Sequence, residues 1–542
     1  MATTRYARLI TQPPPQSQPL PGREQEMHKN QAGGYTFTVN DWTRLDRFLL
    51  LGSDDGSYYA SARKLTQDNA RVVERCVRED GLRTVRRIAE VARKSLAPRP
   101  DAGIVALAIC AKKGDEAARH LAYATVGEVC RTASQLFQWA EMIQALGGWG
   151  HGARRAVARW YLDRDADSLA YQMVKYRTRV GWSHRDLLRL AHPTPPDDLR
   201  NALFNWAARP TQSPAHYHPF GGADLPRIIE GFERCQKATT AKAAADLVKE
   251  YRLPRECVQP DHLTERVVWG ALLEDMPLGA MVRNLGNMGK AALLVPGSSA
   301  AKLVVQRLQD QQRLRGSHLH PMALLLAERQ YQGGHASERV RDRVATWTPV
   351  AQVVDALDAA FYDAMAYVPT TGKRLLLGVD CSGSMHYPMT TAGNMTCTEA
   401  AVAMALVTLR TEPQAHVVGF DTALHELAIS GRSRLVDAQR AVAAFGGGTN
   451  CALPIQYAHR SAETWDGICI YTDSETWYGH EHPTTSLAAY RKAKNPACRM
   501  VTAAFTATRS SIADQQDPMT LDCVGLDASL PQVIGNFLAA EF

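Results

Sequence analysis

Two hydrophobic rhythms divide the chain. From about residue 40 to 365 the apolar positions recur three and four apart, as at Ile104, Leu107, Ala108 and Cys110, or at Leu169, Met173, Tyr176 and Val180. That is the period of helices burying one face. Gly and Pro punctuate segments of roughly 10 to 20 residues. So long a run of helices predicts stacked helix pairs of the HEAT type rather than one bundle; no clean fixed-period repeat is present. Beyond about 370 the rhythm changes. Short apolar runs at Leu375–Val379, His416–Phe420, Gly467–Tyr471 and Arg499–Phe505 read as strands. They alternate with helical stretches at Thr398–Leu409, Leu435–Ala444 and Leu487–Lys494. Alternating β and α predicts a doubly wound parallel sheet with its site at the carboxyl ends of the strands. The expected organisation is a disordered tail over 1–30, a helical-repeat domain over 31–368 and an α/β domain over 369–542. The tail, with Pro13-Pro14-Pro15 and several Gln, has no apolar stretch of the secretory kind.

Composition adds class and compartment. At 542 residues the chain exceeds one ordinary domain, and 45% hydrophobic with 22% charged residues is a soluble globular balance. No stretch approaches the roughly 20 apolar residues of a membrane span. Eleven cysteines are scattered without a Cys-x-x-Cys pair, and several, such as Cys110 and Cys469, sit in apolar runs. Buried thiols in a reducing cytoplasm are expected, not disulfides or zinc. The net charge of +7 is unevenly spread: residues 371–542 hold 12 Lys/Arg and 16 Asp/Glu, leaving 50 and 39 in residues 1–370. The basic excess lies N-terminally and favours a polyanion, nucleic acid first; an Arg-rich surface without such a partner is the plainer alternative.

The chemistry of the C-terminal part is concentrated in a few residues. Asp380-Cys381-Ser382-Gly383-Ser384 leaves the first apolar strand, Thr449 follows Gly446-Gly447-Gly448, and Asp473 ends Tyr471-Thr472-Asp473. This D-x-S-x-S, T, D set resembles the metal-ion-dependent adhesion site of von Willebrand factor A domains. Hydroxyls and carboxylates are hard oxygen ligands suited to a divalent cation such as Mg²⁺. A helix cap or an ordinary loop would account for each stretch alone; their joint occurrence in α/β patterning favours Asp380, Ser382, Ser384, Thr449 and Asp473 as metal ligands.

A second constellation is cationic. Read as one helix, Asp167–Val180 carries Lys175 and Arg179 four apart on one flank and Arg177 on the other. Gly181 ends it, and a short helix from His184 brings Arg185, Arg189 and then His192. So many cations with few carboxylates suit phosphate; a solvated basic face, with Arg189 paired to Asp186, is the alternative. Arg154-Arg155 with Arg159, and Arg83, Arg86 and Arg87, are further basic runs. Trp182 is expected to be a packing anchor rather than a base-stacking platform.

Longer motifs carry a family resemblance. Gly34-Tyr35-Thr36-Phe37, Leu45-Asp46-Arg47-Phe48-Leu49, Gly52-Ser53, Lys175-Tyr176, Gly181 to Leu190, Glu274 to Leu278, Arg283 to Gly286, His320-Pro321, Ala356 to Tyr362, Thr371 to Arg374 and Thr472-Asp473 are similar to the Ro autoantigen family, a TROVE domain joined to a von Willebrand factor A-like domain. The Ala- and Arg-rich wording points to a bacterial member. The resemblance implies a ring of HEAT-like helical repeats closed by the α/β domain, with no catalysis. It implies small noncoding Y-type RNAs bound on the outer basic surface, where the positions matching Lys175, Arg179 and His192 contact RNA. It also implies single-stranded 3′ ends of misfolded or structured RNAs in a central hole. RNA quality control, stress survival, cooperation with an RNA-degrading exoribonuclease and a cytoplasmic, membrane-free monomer complete the expectation. The alternative function is an adhesion-type module that uses the metal site for protein ligands without RNA; an enzyme is disfavoured because no general base is evident beside the metal residues, Glu475 being the nearest carboxylate.

Overall fold

The computed structural model describes residues 14–30, 32–38, 40–51, 62–97, 100–208, 225–337, 344–386, 395–443, 445–473, 476–505, 510–514, 516–525 and 530–540. Gly52-Ser53 and Glu475 lie outside the described residues, as does the first part of the expected tail. Two compact units emerge. One comprises residues 70–319 and 330–360, the other residues 1–69, 320–329 and 361–542.

The first unit is helical, and its helix starts are written in the sequence. Asp115, Thr132, Asp165, Ser183, Thr240 and Ser298 each accept a backbone N–H of the first turn, satisfying donors that a helix start leaves open. Helices overlap in register. Asp101–Lys113 packs on both Glu116–Val129 and Ala133–Ala145, and Ala241–Tyr251 lies between Arg227–Gln236 and Arg266–Asp275. This is the stacked arrangement of helical repeats. Phe137, Trp139, Trp160 and Tyr161 are fully buried at its centre.

The second unit is built on a six-stranded sheet. Its strands are β1 (Leu375–Asp380), β2 (Ala415–Phe420), β3 (Leu424–Glu426), β4 (Gly467–Thr472), β5 (Arg499–Ala504) and β6 (Thr520–Val524), ordered β6-β5-β4-β1-β2-β3. All neighbours are parallel except β3, which runs antiparallel to β2 at the edge. The parallel-sheet expectation thus needs one correction: a hairpin adds β3, and β3 and β6 lie outside the runs read as strands. Every residue of β1 and β4 is buried, as a sheet covered on both faces requires. Leu376, Val418, Phe420, Ile468, Ile470 and Met500 share one face with Ile455, Leu487 and Tyr490 of two covering helices.

The N-terminal expectation is corrected from residue 14 onward. Met27–Lys29 pairs with Tyr35–Thr38, and that strand pairs with Ser510-Ser511. Met27 and Phe37 are buried, Arg23 is ion-paired with Asp514, and the helix Asp41–Leu51 packs on β6. The Pro- and Gln-rich wording conceals a segment with buried anchors. Residues to Asn69 accordingly group with the α/β unit, not with the helical one.

Candidate functional site

The sheet register brings two of the acidic stretches together. With Tyr471 opposite Val379 on parallel strands, Asp380 ends β1 beside Thr472, which ends β4. Thr472 Oγ1 donates to Asp380 Oδ2 at 2.6 Å, and the Ser382 amide donates to Asp380 Oδ1 at 2.8 Å. Ser382 Oγ lies 3.3 Å from Ser384 Oγ. Asp380, Ser382, Thr449 and Asp473 are buried, and Ser384 is half-buried. Burial first, and the charge of Asp473 second, push the Asp380 carboxyl well above the usual carboxylate range, against the hydrogen bonds from Thr472 and Ser382. Thr449 arrives on a separate loop. Its carbonyl accepts from the amides of Trp477 and Tyr478 at 3.1 and 3.0 Å, which ties it to the segment following Asp473. The five expected ligands therefore occupy two strand ends and one attached loop.

Thr472, the hydroxyl clamp on Asp380, was not among the expected site residues; it stands in the same Thr-Asp pair as Asp473. Asp421 was also missed, although it follows an apolar strand just as Asp380 does. It is buried and accepts from the Ala423 amide and His425 Nε2, both at 2.8 Å. Burial alone would raise its pKa, but these partners hold it below the usual range. The His425 ring stacks on Phe445 with centroids 4.0 Å apart.

The basic constellation differs from expectation in one respect. The helix ends at Lys175, not Val180: it spans Ala166–Lys175. Thr178-Arg179 and Trp182-Ser183 then form a short antiparallel hairpin through Val180 and Gly181, both with positive φ. Leu169 and Met173 are buried, but Val180 is 49% exposed. The apolar spacing runs on by coincidence past the end of the helix into a turn whose positive φ suits Gly181. Lys175 and Arg179 thus belong to different elements.

Lys175 Nζ donates to Tyr171 Oη at 3.0 Å and sits 5.0 and 5.4 Å from the ring centroids of Tyr171 and Tyr176. Burial pulls its pKa down, but the contacts with Tyr171 outweigh this and hold the ammonium charged. Arg177 lies exposed with its guanidinium 4.7 Å from the Phe232 ring. Arg179, Arg185 and Arg189 are exposed. Asp186 is engaged in a capping box with Ser183 and, among the described residues, makes no ion pair with Arg189. His192 is exposed in a left-handed conformation at the end of the helix His184–Ala191. Arg154 and Arg155 are exposed on His151–Leu162, a helix that packs against His184–Ala191.

The platform beneath is aromatic and hydrogen-bonded. Trp182 Nε1 donates to Glu141 at 2.8 Å and its ring meets Trp149 at 5.4 Å, so it anchors the hairpin as expected. His184 is buried, 2.8 Å from Tyr161 Oη and edge-on to Phe137. Burial pushes its pKa down to about 4, while the nearby carbonyls of Gln172 and Tyr176 pull the other way. All eleven cysteines are buried free thiols. Among the described residues no helix is long and apolar enough to cross a membrane.

Comparison with known proteins covers nearly the whole chain. Residues 28–222 and 253–333 match the TROVE domain family, and residues 374–538 match the Ro60 vWA domain. The chain is 40% identical over 517 residues to the RNA-binding protein RO60 of Deinococcus radiodurans, spanning 95% of each. It is 31% identical over 586 residues to the protein of the same name in Caenorhabditis elegans, spanning 95% of this chain and 90% of that one. The crystal structure of the Deinococcus radiodurans RO (RSR) protein aligns with a TM-score of 0.77 at 37% identity, covering 93% of this chain and 100% of that one. Together with the helical and α/β units, the strand-end acidic pair and the basic series, these likenesses establish that the chain belongs to the Ro family of TROVE and von Willebrand factor A-like domain proteins.

Proposed function

We propose that this protein is a non-catalytic RNA-binding scaffold whose helical unit holds structured small RNA through Lys175, Arg177, Arg179, Arg185, Arg189 and His192. The observation that carries the reading is the series of exposed Arg177, Arg179, Arg185, Arg189 and His192, for which no ion pair is found among the described residues, beside the half-buried Lys175 on a packed aromatic platform. Guanidinium and ammonium groups free of internal ion pairs are available to phosphate. The relatives named RNA-binding protein RO60 support the same ligand class. By family, the RNAs are small noncoding Y-type RNAs and structured or misfolded RNAs with single-stranded 3′ ends. The role is in RNA quality control and stress survival in the cytoplasm, alongside an exoribonuclease. Arg154 and Arg155 extend the same surface chemistry.

The test is binding of a hairpin-containing small RNA by fluorescence anisotropy. Replacing Lys175 and Arg179 together with Ala is expected to weaken binding by about 2 kcal/mol or more, from one to three per charge-assisted contact. Unchanged affinity at low salt in a folded double variant overturns the assignment.

In the α/β unit we infer a divalent cation, by preference Mg²⁺, held by Asp380, Ser382, Ser384, Thr449 and Asp473. The donor set fits: two buried carboxylates repel one another, and hydroxyls flank them. A bound cation would offset that repulsion and present an open coordination position to an acidic partner group or water.

A further inference from the structure

The segment from Pro14 to Met27 precedes the region that matches the TROVE family and takes no part in the RNA reading. It is nevertheless tied to the two loops that flank the candidate metal site. Gln16 is fully buried. Its amide donates to the Gly479 carbonyl at 3.2 Å, and its carbonyl accepts from the Tyr35 amide at 2.7 Å. Its side chain bridges the loops: Nε2 donates to Asn450 Oδ1 at 3.0 Å, and Oε1 accepts from Thr476 Oγ1 at 2.5 Å.

Both partners organise the Thr449 loop. Asn450 Oδ1 accepts from the Ala452 amide at 3.2 Å. Thr476 Oγ1 accepts from the Cys451 amide and lies 3.3 Å from the Thr449 carbonyl. Asn30 Nδ2 donates to the Thr476 carbonyl at 2.6 Å, and His482 Nε2 meets the Gln18 carbonyl at 2.7 Å. The approach at Gly34 is close enough that a Cβ there would sit 2.2 Å from the Thr476 carbonyl oxygen.

We propose that residues 14–30, together with Gly34, form a clasp that fixes the Thr449–Asn450 loop to the Thr476–Gly479 segment, with Gln16 as the positioning residue. Its consequence for cation affinity rests on the metal reading above. Thr449 and the segment following Asp473 come from separate loops, so their spacing depends on what joins them. A single buried amide satisfying one polar group on each loop is such a joint. Its removal takes one hydrogen bond from each group and weakens the bridge between the loops, leaving the Trp477 and Tyr478 amides on the Thr449 carbonyl to hold them. Outer partners of ligating groups commonly change metal affinity by about 10- to 100-fold.

The experiment uses the full chain and Gln16→Ala, with Gln16→Met as a second variant that keeps the side-chain length but loses both donor and acceptor. Mn²⁺ binding is followed by electron paramagnetic resonance, and amide hydrogen exchange is read at Trp477 and Tyr478, whose N–H groups bond to the Thr449 carbonyl. Expected are roughly tenfold weaker Mn²⁺ binding and faster exchange at those two amides. A lower melting temperature with unchanged Mn²⁺ affinity and unchanged exchange would make the segment structural packing only, and the clasp is then wrong. If the parent itself binds no Mn²⁺, the metal reading fails, and exchange alone decides: acceleration in the variants supports the clasp, and none overturns it.

Discussion

Asp380 accepts a hydroxyl and an amide within its own loop and the neighbouring strand, so its functional loss is local. Asp380→Ala is expected to abolish the Mg²⁺ heat seen by titration calorimetry in the parent while leaving the helical unit folded and RNA affinity unchanged. Equal heats in both proteins would reduce D-x-S-x-S to a loop motif here. His184 offers a residue-scale test of stability. Its folded pKa of about 4 lies below the ordinary 6.5 because burial excludes the imidazolium. The unfolded chain therefore takes up a proton first as pH falls. Stability contributed by neutral His184 is complete above pH 6.5, declines from there to about 4 and then levels off. The loss is of order 3 kcal/mol, at about 1.4 per pH unit. Urea unfolding followed by tryptophan fluorescence should show this decline, and His184→Gln should flatten it. An unchanged acid slope in the variant would assign the effect elsewhere, for instance to His320, whose pKa burial also pushes down to about 4.

At the scale of elements the hairpin after Lys175 is the instructive case. Val180 and Gly181 both have positive φ, as type I′ turns require. A β-branched residue resists that conformation, at a cost of about 1–2 kcal/mol. Val180 is exposed and buries little. Val180→Asn, giving the favoured Asn-Gly turn, should therefore stabilise the helical unit by about 1 kcal/mol with Arg179 left in place. A destabilised variant in chemical denaturation would show that the side chain of Val180 has packing value. The same hairpin marks a limit of sequence reading. The start of the helix read from Asp167 was legible to within a residue, because its cap is local: Asp165 bonds to the amide three residues on. The end of that helix was not, since Tyr176 and Val180 fall on the helical period by chance. Strands β1, β2, β4 and β5 were legible as apolar runs covered on both faces, whereas the three-residue edge strand β3 leaves too short a pattern. Of the site, Asp380, Ser382, Ser384 and Asp473 follow from spacing and register. Gln16 does not, because its side-chain partners lie 434 and 460 residues away and no local pattern encodes such a contact.

Across the whole molecule, charge and chemistry are divided: the basic excess lies in residues 1–370 and the acidic strand ends in the C-terminal part. This division predicts how binding responds to salt and to strand type. Affinity for small RNA should fall linearly with log salt, and the Lys175/Arg179 double variant should lose about one unit of slope per removed phosphate contact. Chelation should leave that slope untouched, since the inferred cation sits in the other unit. Strand type is the sharper test. Cations beside aromatic faces, as where the half-buried Lys175 adjoins the exposed Tyr171 (39% exposed), suit single strands, whose bases can unstack and whose phosphates tolerate any sequence. A rigid A-form duplex cannot splay its bases onto such a face. A structured RNA with a protruding 3′ tail should therefore bind more tightly than the same RNA trimmed blunt, with little dependence on tail sequence. A Y-type RNA held at Lys175 and Arg179 should compete with the tailed RNA, because both draw on the same cations. Paired anisotropy titrations measure both effects. A blunt RNA that binds as well as the tailed one, together with no competition from the Y-type RNA, would confine recognition to double-stranded surface contacts and remove single-stranded ends from the function of this protein.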